Sequence, residues 1–232
     1  MQNYSLILLS GGIGSRMNSK MPKQFLEIKG NPIIYYSLMA IKNNEFIKEI
    51  IINYPEDMKQ YIKSIIQTCG IDKKIIYVEA GETRQESVLK MLKKVSFENV
   101  IIHESARPLV DESTFNNLIK NEYENCGYFA EIPFTVIEVC NKTKNATKSL
   151  NRDRLRNVLL PQKFKTTTLL EAHKLAVETN LNYTEDASLL IENSSSKFYY
   201  IDGLNSNIKI TYPSDLIFVE AFLDVKNKGE EI

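Results

Sequence analysis

Cysteine and histidine are scarce in this chain. Its three cysteines, Cys69, Cys126 and Cys140, are odd in number and far apart. They form neither a disulfide framework nor a metal pair, and a reducing cytoplasm is the expected compartment. Two histidines, His103 and His173, are too few to point to a histidine-based metal site. An excess of one charge is also missing, since 29 Lys and Arg balance 29 Asp and Glu. No overall field draws the chain to nucleic acid or to an anionic membrane, so any anion recognition must be local. No stretch approaches the roughly 18 apolar residues of a membrane span. The first apolar run lacks a basic segment before it and is too short for a signal peptide. There is no internal repeat and no low-complexity segment; only the tail from Lys226 looks frayed.

What is present suits one α/β domain of 232 residues. Hydrophobic residues at 43% and charged residues at 25% match a globular protein with a sizeable core.

The chain is organised around Leu9-Ser10-Gly11-Gly12-Ile13-Gly14-Ser15-Arg16-Met17, continuing to Pro22-Lys23-Gln24. An apolar run from Tyr4 to Leu9 predicts a buried strand before it, and a helical pattern follows. Glycines in that place let the backbone approach a polyphosphate and aim its N–H groups at the oxygens. Arg16 and Lys23 add cationic side chains of the right reach. Taken alone, the glycines fit equally well a turn with a solvated Arg and Lys. A Walker loop is excluded, because no Gly-Lys-Ser/Thr closes the segment. A nicotinamide-binding protein is disfavoured: Met17 stands where a dinucleotide fingerprint needs its third glycine. Asn53-Tyr54-Pro55 also replaces the acid expected at the end of the second strand.

Further on, Asn31-Pro32 with Ile33, Ile34, Leu38 and Ile41 predicts a helix with an apolar face. Strands are expected over 49–54, 74–79, 99–104 and 127–132. Helices are expected over 56–67, 111–124 and 166–179, the last with Leu169, Leu170, Ala172 and Ala176 inward; another places Val88, Leu89 and Leu92 on one face. Such alternation argues for a largely parallel sheet covered on both faces. Ligands of such sheets gather beyond the carboxyl ends of the strands, where the loops after Leu9, Glu79 and Glu104 lie.

Four more patterns carry chemistry, each with an ordinary alternative. Gly81-x-x-Arg84-x-x-Ser87 suits a nucleotide pocket or a glycine turn with a helix cap. His103-Glu104-Ser105-Ala106-Arg107-Pro108 puts an acid and an arginine at a strand end, as a site or as a surface ion pair. Thr184-Glu185-Asp186-Ala187-Ser188 opens a helix with acids, which capping and the helix dipole explain as well as a site does. Lys209, between Ile208 and Ile210, is expected on a strand, either facing phosphate or guarding a sheet edge.

In their order along the chain these blocks resemble the methylerythritol-phosphate cytidylyltransferases and their relatives, the ribitol-phosphate (alditol-phosphate) cytidylyltransferases. The matching strings are G-G-x-G-S-R-M-x(4)-P-K-Q, G-x-x-R-x-x-S, H-E-S-A-R-P, the pieces Asn151 to Leu155 and Leu160 to Phe164, T-E-D-A-S, and N-x-K-I-T-x-P-x-D-L. They span residues 5 to 216. The resemblance implies a three-layer, Rossmann-like nucleotidyltransferase domain over 1–232, with a mostly parallel central sheet and a protruding β-arm at 133–157. That arm is expected to exchange with a second subunit in a homodimer. The implied reaction transfers CMP from CTP to a small polyol phosphate with Mg2+, releasing pyrophosphate and a CDP-alcohol.

Position by position, the resemblance makes Arg16, Lys23 and Lys209 catalytic. It gives the nucleotide to Ser10, Gly11, Gly12, Gly14, Gly81, Arg84, Ser87, Glu104, Ser105 and Arg107, with Glu104 also a metal ligand, and the acceptor to Arg152 and Thr184. Three departures stand out. Ala80 replaces a glycine, and Glu104 is one methylene longer than the family's aspartate, where errors of about 1 Å are costly. Pro133 to Val139 lacks the P-x-x-D-T-(I/M)-K arm motif. The acceptor therefore stays open between methylerythritol phosphate and an alditol phosphate such as ribitol 5-phosphate, and the pathway between isoprenoids and an envelope polymer. A CTP-binding homologue without activity is the alternative that Glu104 and the missing arm motif suggest.

Overall fold

Side-chain alternation along the first strand sets the layers: Leu6 and Leu8 enter one apolar cluster and Ile7 the other. The structure, a computed structural model, describes residues 2–14, 17 and 21–228. In chain order the strands are β1 (Tyr4–Leu9), β2 (Glu27–Ile28), β3 (Asn31–Pro32), β4 (Ile47–Tyr54), β5 (Lys74–Glu79) and β6 (Asn99–Glu104). They continue as β7 (Cys126–Glu131), β8 (Val136–Cys140), β9 (Asn145–Leu150), β10 (Arg156–Lys165) and β11 (Tyr199–Asp202). The helices are α1 (Ile33–Ile41), α2 (Lys59–Cys69), α3 (Arg84–Leu92), α4 (Glu112–Lys120), α5 (Thr166–Glu178), α6 (Asp186–Asn193) and α7 (Pro213–Asn227).

The central sheet has the order β11-β7-β10-β6-β1-β4-β5. Only β10 runs against its neighbours. Strands β1, β4 and β6 are solid with Leu, Ile and Val because both of their faces are covered. Each Ile of the fully buried run Ile50-Ile51-Ile52 stabilises the fold by about 1.5–3 kcal/mol relative to exposure. Helices α1, α2 and α4 cover one face, and α3, α5 and α6 the other. Helix α7 packs Val219 with Met17, Ile28, Ile33 and Ile210 in a third cluster. The hairpin β8–β9 forms its own two-stranded sheet, as expected of the arm, although β10 already begins at Arg156. Among the described residues no helix is long and apolar enough to cross a membrane.

The expected three-layer fold with a mostly parallel sheet is thus present, with four local corrections. Helix α4 stops at Lys120 rather than 124, because Asn121 turns extended and its Oδ1 accepts from the Tyr123 N–H at 3.0 Å. In α3, Met91 is buried while Leu89 is only half-buried; in α5, His173 is buried with the inward residues, and Leu170, though half-buried, does pack against the cluster as expected. Lys209 lies on no strand. The carboxylate of Asp215 accepts the N–H groups of Thr211 and Tyr212 at 2.7 and 2.8 Å, diverting that backbone from any ladder. The edge-guarding alternative for Lys209 falls with the strand.

Candidate active site

The carboxyl ends of β1, β4, β5 and β6 converge, and the loops leaving them enclose a cavity of about 440 Å³. Its floor is the glycine loop, which three contacts brace. The Ser10 N–H donates to Asn53 Oδ1 at 2.6 Å. The buried Gln24 amide donates to the carbonyls of Ser10 and Gly12 at 2.5 and 3.0 Å. Gly11 runs so close to β4 that a Cβ there would lie 2.5 Å from Asn53 Nδ2 and 2.6 Å from the Ala80 Cβ. Gly14 has φ +69°, a conformation that favours glycine. With its carbonyls held from behind by Gln24, the loop keeps a fixed path along the cavity.

One wall is an ionic cluster centred on Glu104, at the end of β6. Its Oε1 lies 2.8 Å from Lys209 Nζ and 3.4 Å from Arg84 Nε, and its Oε2 lies 3.5 Å from Arg107 Nε. Burial alone would push this carboxyl up; the charges of Lys209, Arg84 and Arg107 outweigh burial and hold it well below the ordinary carboxylate range. Arg84 also lies 2.7 Å from Asp186. Burial works against its charge, but Asp186 and Glu104 prevail and keep the guanidinium protonated. Lys23 Nζ donates to the Ile210 carbonyl at 2.6 Å, next to Lys209. Both lysines line the same cavity.

Of the residues expected at the nucleotide, Ser10, Gly11, Gly12, Gly14, Gly81, Arg84, Ser87, Glu104 and Ser105 line this cavity, together with Lys23 and Lys209. Ser87 and Ser105 also brace it: Ser87 Oγ accepts from the Gly81 N–H at 2.9 Å, and Ser105 Oγ donates to the Leu9 carbonyl at 2.9 Å. Arg107 stands behind the wall, donating to the Asn207 carbonyl at 2.8 Å and supporting Glu104. Arg16 lies outside the described residues. Arg152 and Thr184 are exposed and do not line the cavity; Arg152 donates to the Pro133 carbonyl at 2.7 Å.

The two acids at the start of α6 part ways. Glu185 caps the helix through the N–H groups of Ala187 and Ser188, while Asp186 turns inward to Arg84. Asn53, Gln24 and Thr211 are cavity residues that the motifs did not single out. Gln24 stood within the first motif as its last letter, but its part is to hold carbonyls rather than ligand.

The donor set does not fit a metal held by protein side chains. Among the described residues no three His, Cys, Asp or Glu side chains converge. Glu104 Oε1 already faces Lys209 and Arg84.

Comparison with known proteins identifies the family. The sequence profile of the family described as IspD, 2-C-methyl-D-erythritol 4-phosphate cytidylyltransferase, matches residues 4–225. A protein of that name from Clostridium botulinum (strain Langeland) is 38% identical over 230 residues, covering 97% of this chain and 99% of its own. Its namesake from Bacillus mycoides is 32% identical over 228 residues, covering 97% and 100%. The crystal structure of 4-diphosphocytidyl-2C-methyl-D-erythritol synthase from Anaerococcus prevotii superposes with a TM-score of 0.81 at 27% identity, covering 96% of each chain. These matches bear methylerythritol names and none an alditol phosphate, so the alditol half of the expected acceptor finds no support. The chain belongs to the 2-C-methyl-D-erythritol 4-phosphate cytidylyltransferase family and is a nucleotidyltransferase.

Proposed function

We propose that this protein transfers CMP from CTP to 2-C-methyl-D-erythritol 4-phosphate. The observation that carries the reading is the convergence of the glycine loop, Lys23, Arg84 and Lys209 on one cavity at the carboxyl rim of the sheet. The acceptor phosphate is anionic at neutral pH, so the reaction needs neither a nucleophilic side chain nor a strong base. An acceptor phosphate oxygen forms a bond to the α-phosphorus of CTP, and the bond from that phosphorus to the bridging oxygen breaks, releasing pyrophosphate. Two repelling anions must be aligned and the charge at the α-phosphorus neutralised. Lys23 and Lys209, which both line the cavity, do that work in this reading, and Arg16 is assigned to it from the loop motif. Ser10, Gly11, Gly12 and Gly14 serve the triphosphate; Gly81, Arg84, Ser87 and Ser105 serve the base and ribose. Arg107 acts from behind through Glu104.

Magnesium, in this reading, arrives as the CTP chelate, with phosphate oxygens as its main ligands. Glu104 is the counter-ion of the cationic wall rather than a ligand in a protein cage.

The whole chain acts as one nucleotidyltransferase domain with 133–157 as its arm, in a homodimer. Support comes from apolar side chains that the hairpin region leaves exposed, Phe134, Ile137 and Val139. Arm exchange would bring Arg152 to the acceptor of the other subunit, since it does not line the cavity of its own; Thr184, in the loop before α6 and outside the arm, is assigned to the acceptor from its motif. Sedimentation equilibrium checks this part: a monomer throughout the micromolar range rejects it. The function itself is tested by pyrophosphate release from CTP with methylerythritol, ribitol, glycerol, mannitol and arabinitol phosphates. Release with the first alone is expected, and equal or faster release with an alditol phosphate rejects the assignment.

A further inference from the structure

Asp186 opens α6 with its side chain buried and divided between two partners. Oδ2 lies 2.7 Å from Arg84 Nη2, and Oδ1 lies 3.1 Å from His173 Nε2. His173 comes from the inward face of α5, shared with Leu169, Ala172 and Ala176, and is fully buried. An ionised carboxylate only accepts hydrogen bonds, so Nε2 carries the proton between them. Nδ1 is buried and, among the described residues, has no hydrogen-bond partner. The imidazole thus enters an apolar face for one bond, and leaving its other nitrogen unpaired costs stability. An apolar side chain of similar size would suit that face better if packing were its whole role.

What the bond does is legible one contact further on. Arg84 spans from Asp186 to Glu104 and lines the cavity between them. Without an oriented Asp186, Glu104 would be the one remaining ion-pair partner of the guanidinium among the described residues, and Lys209 and Arg107 already share that carboxylate. We propose that His173 and Asp186 are a positioning pair for Arg84, fixing its guanidinium where the nucleotide binds. The inference rests on the reading of this cavity as the CTP site. Neither residue touches the cavity itself; both act through Arg84.

Titration calorimetry of the purified full chain with magnesium CTP tests this, using His173→Phe, His173→Gln and Asp186→Asn, each alone and with Arg84→Ala. His173→Phe should weaken CTP binding about fivefold or more, as coupled neighbours do. In steady state it should raise KM for CTP and leave kcat and the acceptor KM nearly unchanged. His173→Gln, whose amide can still donate to Asp186, should recover most of the loss. In the Arg84→Ala background none of the three should have a further effect, which a merely structural role would not produce. Unchanged CTP affinity in His173→Phe, or the same loss with and without Arg84, overturns the proposal. If His173→Phe does not fold, the His173→Gln and Asp186→Asn cycles decide it by the same criterion of coupling to Arg84. Wild-type protein that fails to bind CTP rejects the reading of the cavity instead, so the two failures are distinguishable.

Discussion

Glu104 Oε1 and Lys209 Nζ lie 2.8 Å apart although 105 residues separate them in the sequence. This contact ties the end of β6, near the middle of the chain, to the irregular segment before α7, and so joins central and C-terminal parts of the sequence at the cavity wall. A buried carboxylate facing three cations is expensive to break, because each partner is left without its counter-charge.

Glu104→Gln keeps the size of the side chain and removes its charge. It should lower unfolding stability by about 3 kcal/mol or more. Urea denaturation measures the loss, and a change below 0.5 kcal/mol would speak against the cluster as described.

Lys23 is held by the Ile210 carbonyl at 2.6 Å and reaches the cavity beside Lys209. Lys23→Ala should reduce turnover by about a hundredfold or more, as expected on losing a main stabiliser of developing charge. Turnover within about tenfold of wild type would remove Lys23 from the chemistry.

The glycine loop makes two separable predictions. Gly11→Ala puts a Cβ against Asn53 and Ala80, and overpacking of that kind costs about 1–3 kcal/mol. Gly12→Ala meets no atom of the described residues within 4 Å, so folding stability should hold. Its added methyl stands where phosphate must approach, so CTP affinity should fall. Thermal melts and calorimetry on the two variants separate these effects; a stable Gly11→Ala would contradict the close approach.

His103 is a core residue. It is fully buried, with Nε2 3.4 Å from Ser37 Oγ and its ring edge-on to Phe115. Burial, with the positive charge of Arg107, pushes it down from 6.5 to about 3. Below pH 6.5 the unfolded chain takes up this proton and the folded chain does not, so stability falls as pH falls towards 3. The slope attributable to His103 approaches about 1.4 kcal/mol per pH unit. Chemical denaturation between pH 7 and 5 should show it in wild type and lose it in His103→Leu. Further loss should begin below 4.5 as Glu104 and then Asp111, held down at about 2, resist protonation in the folded state. An identical slope in His103→Leu would refute the assignment.

Much of this site was legible in the sequence because its parts are local signals. A strand's apolar run, three glycines and an acid at a strand end each announce themselves within ten residues. What was hidden depends on distant partners. β10 lies inside the sheet, yet Pro161 supplies no ladder N–H, and its pairing with β7 breaks between Val158 and Gln162. β11 has four residues, with Tyr199 and Tyr200 exposed, and offers little alternation to detect. Ile208 to Thr211 has strand-like composition, but Asp215 takes the N–H groups a ladder would need. Asn53 and Gln24 brace backbone from 43 and 14 residues away, a role no spacing rule reveals.

The measurement that bears most directly on the account is a crystal structure of the magnesium CTP complex. The account predicts phosphate oxygens within hydrogen-bond distance of the Gly11 to Gly14 backbone, with the ammonium groups of Lys23 and Lys209 both turned to the triphosphate and Arg84 still bound to Asp186. A triphosphate lodged elsewhere, for example in the cavity beside Tyr128 and Gly203, with the two lysines unengaged, would contradict it.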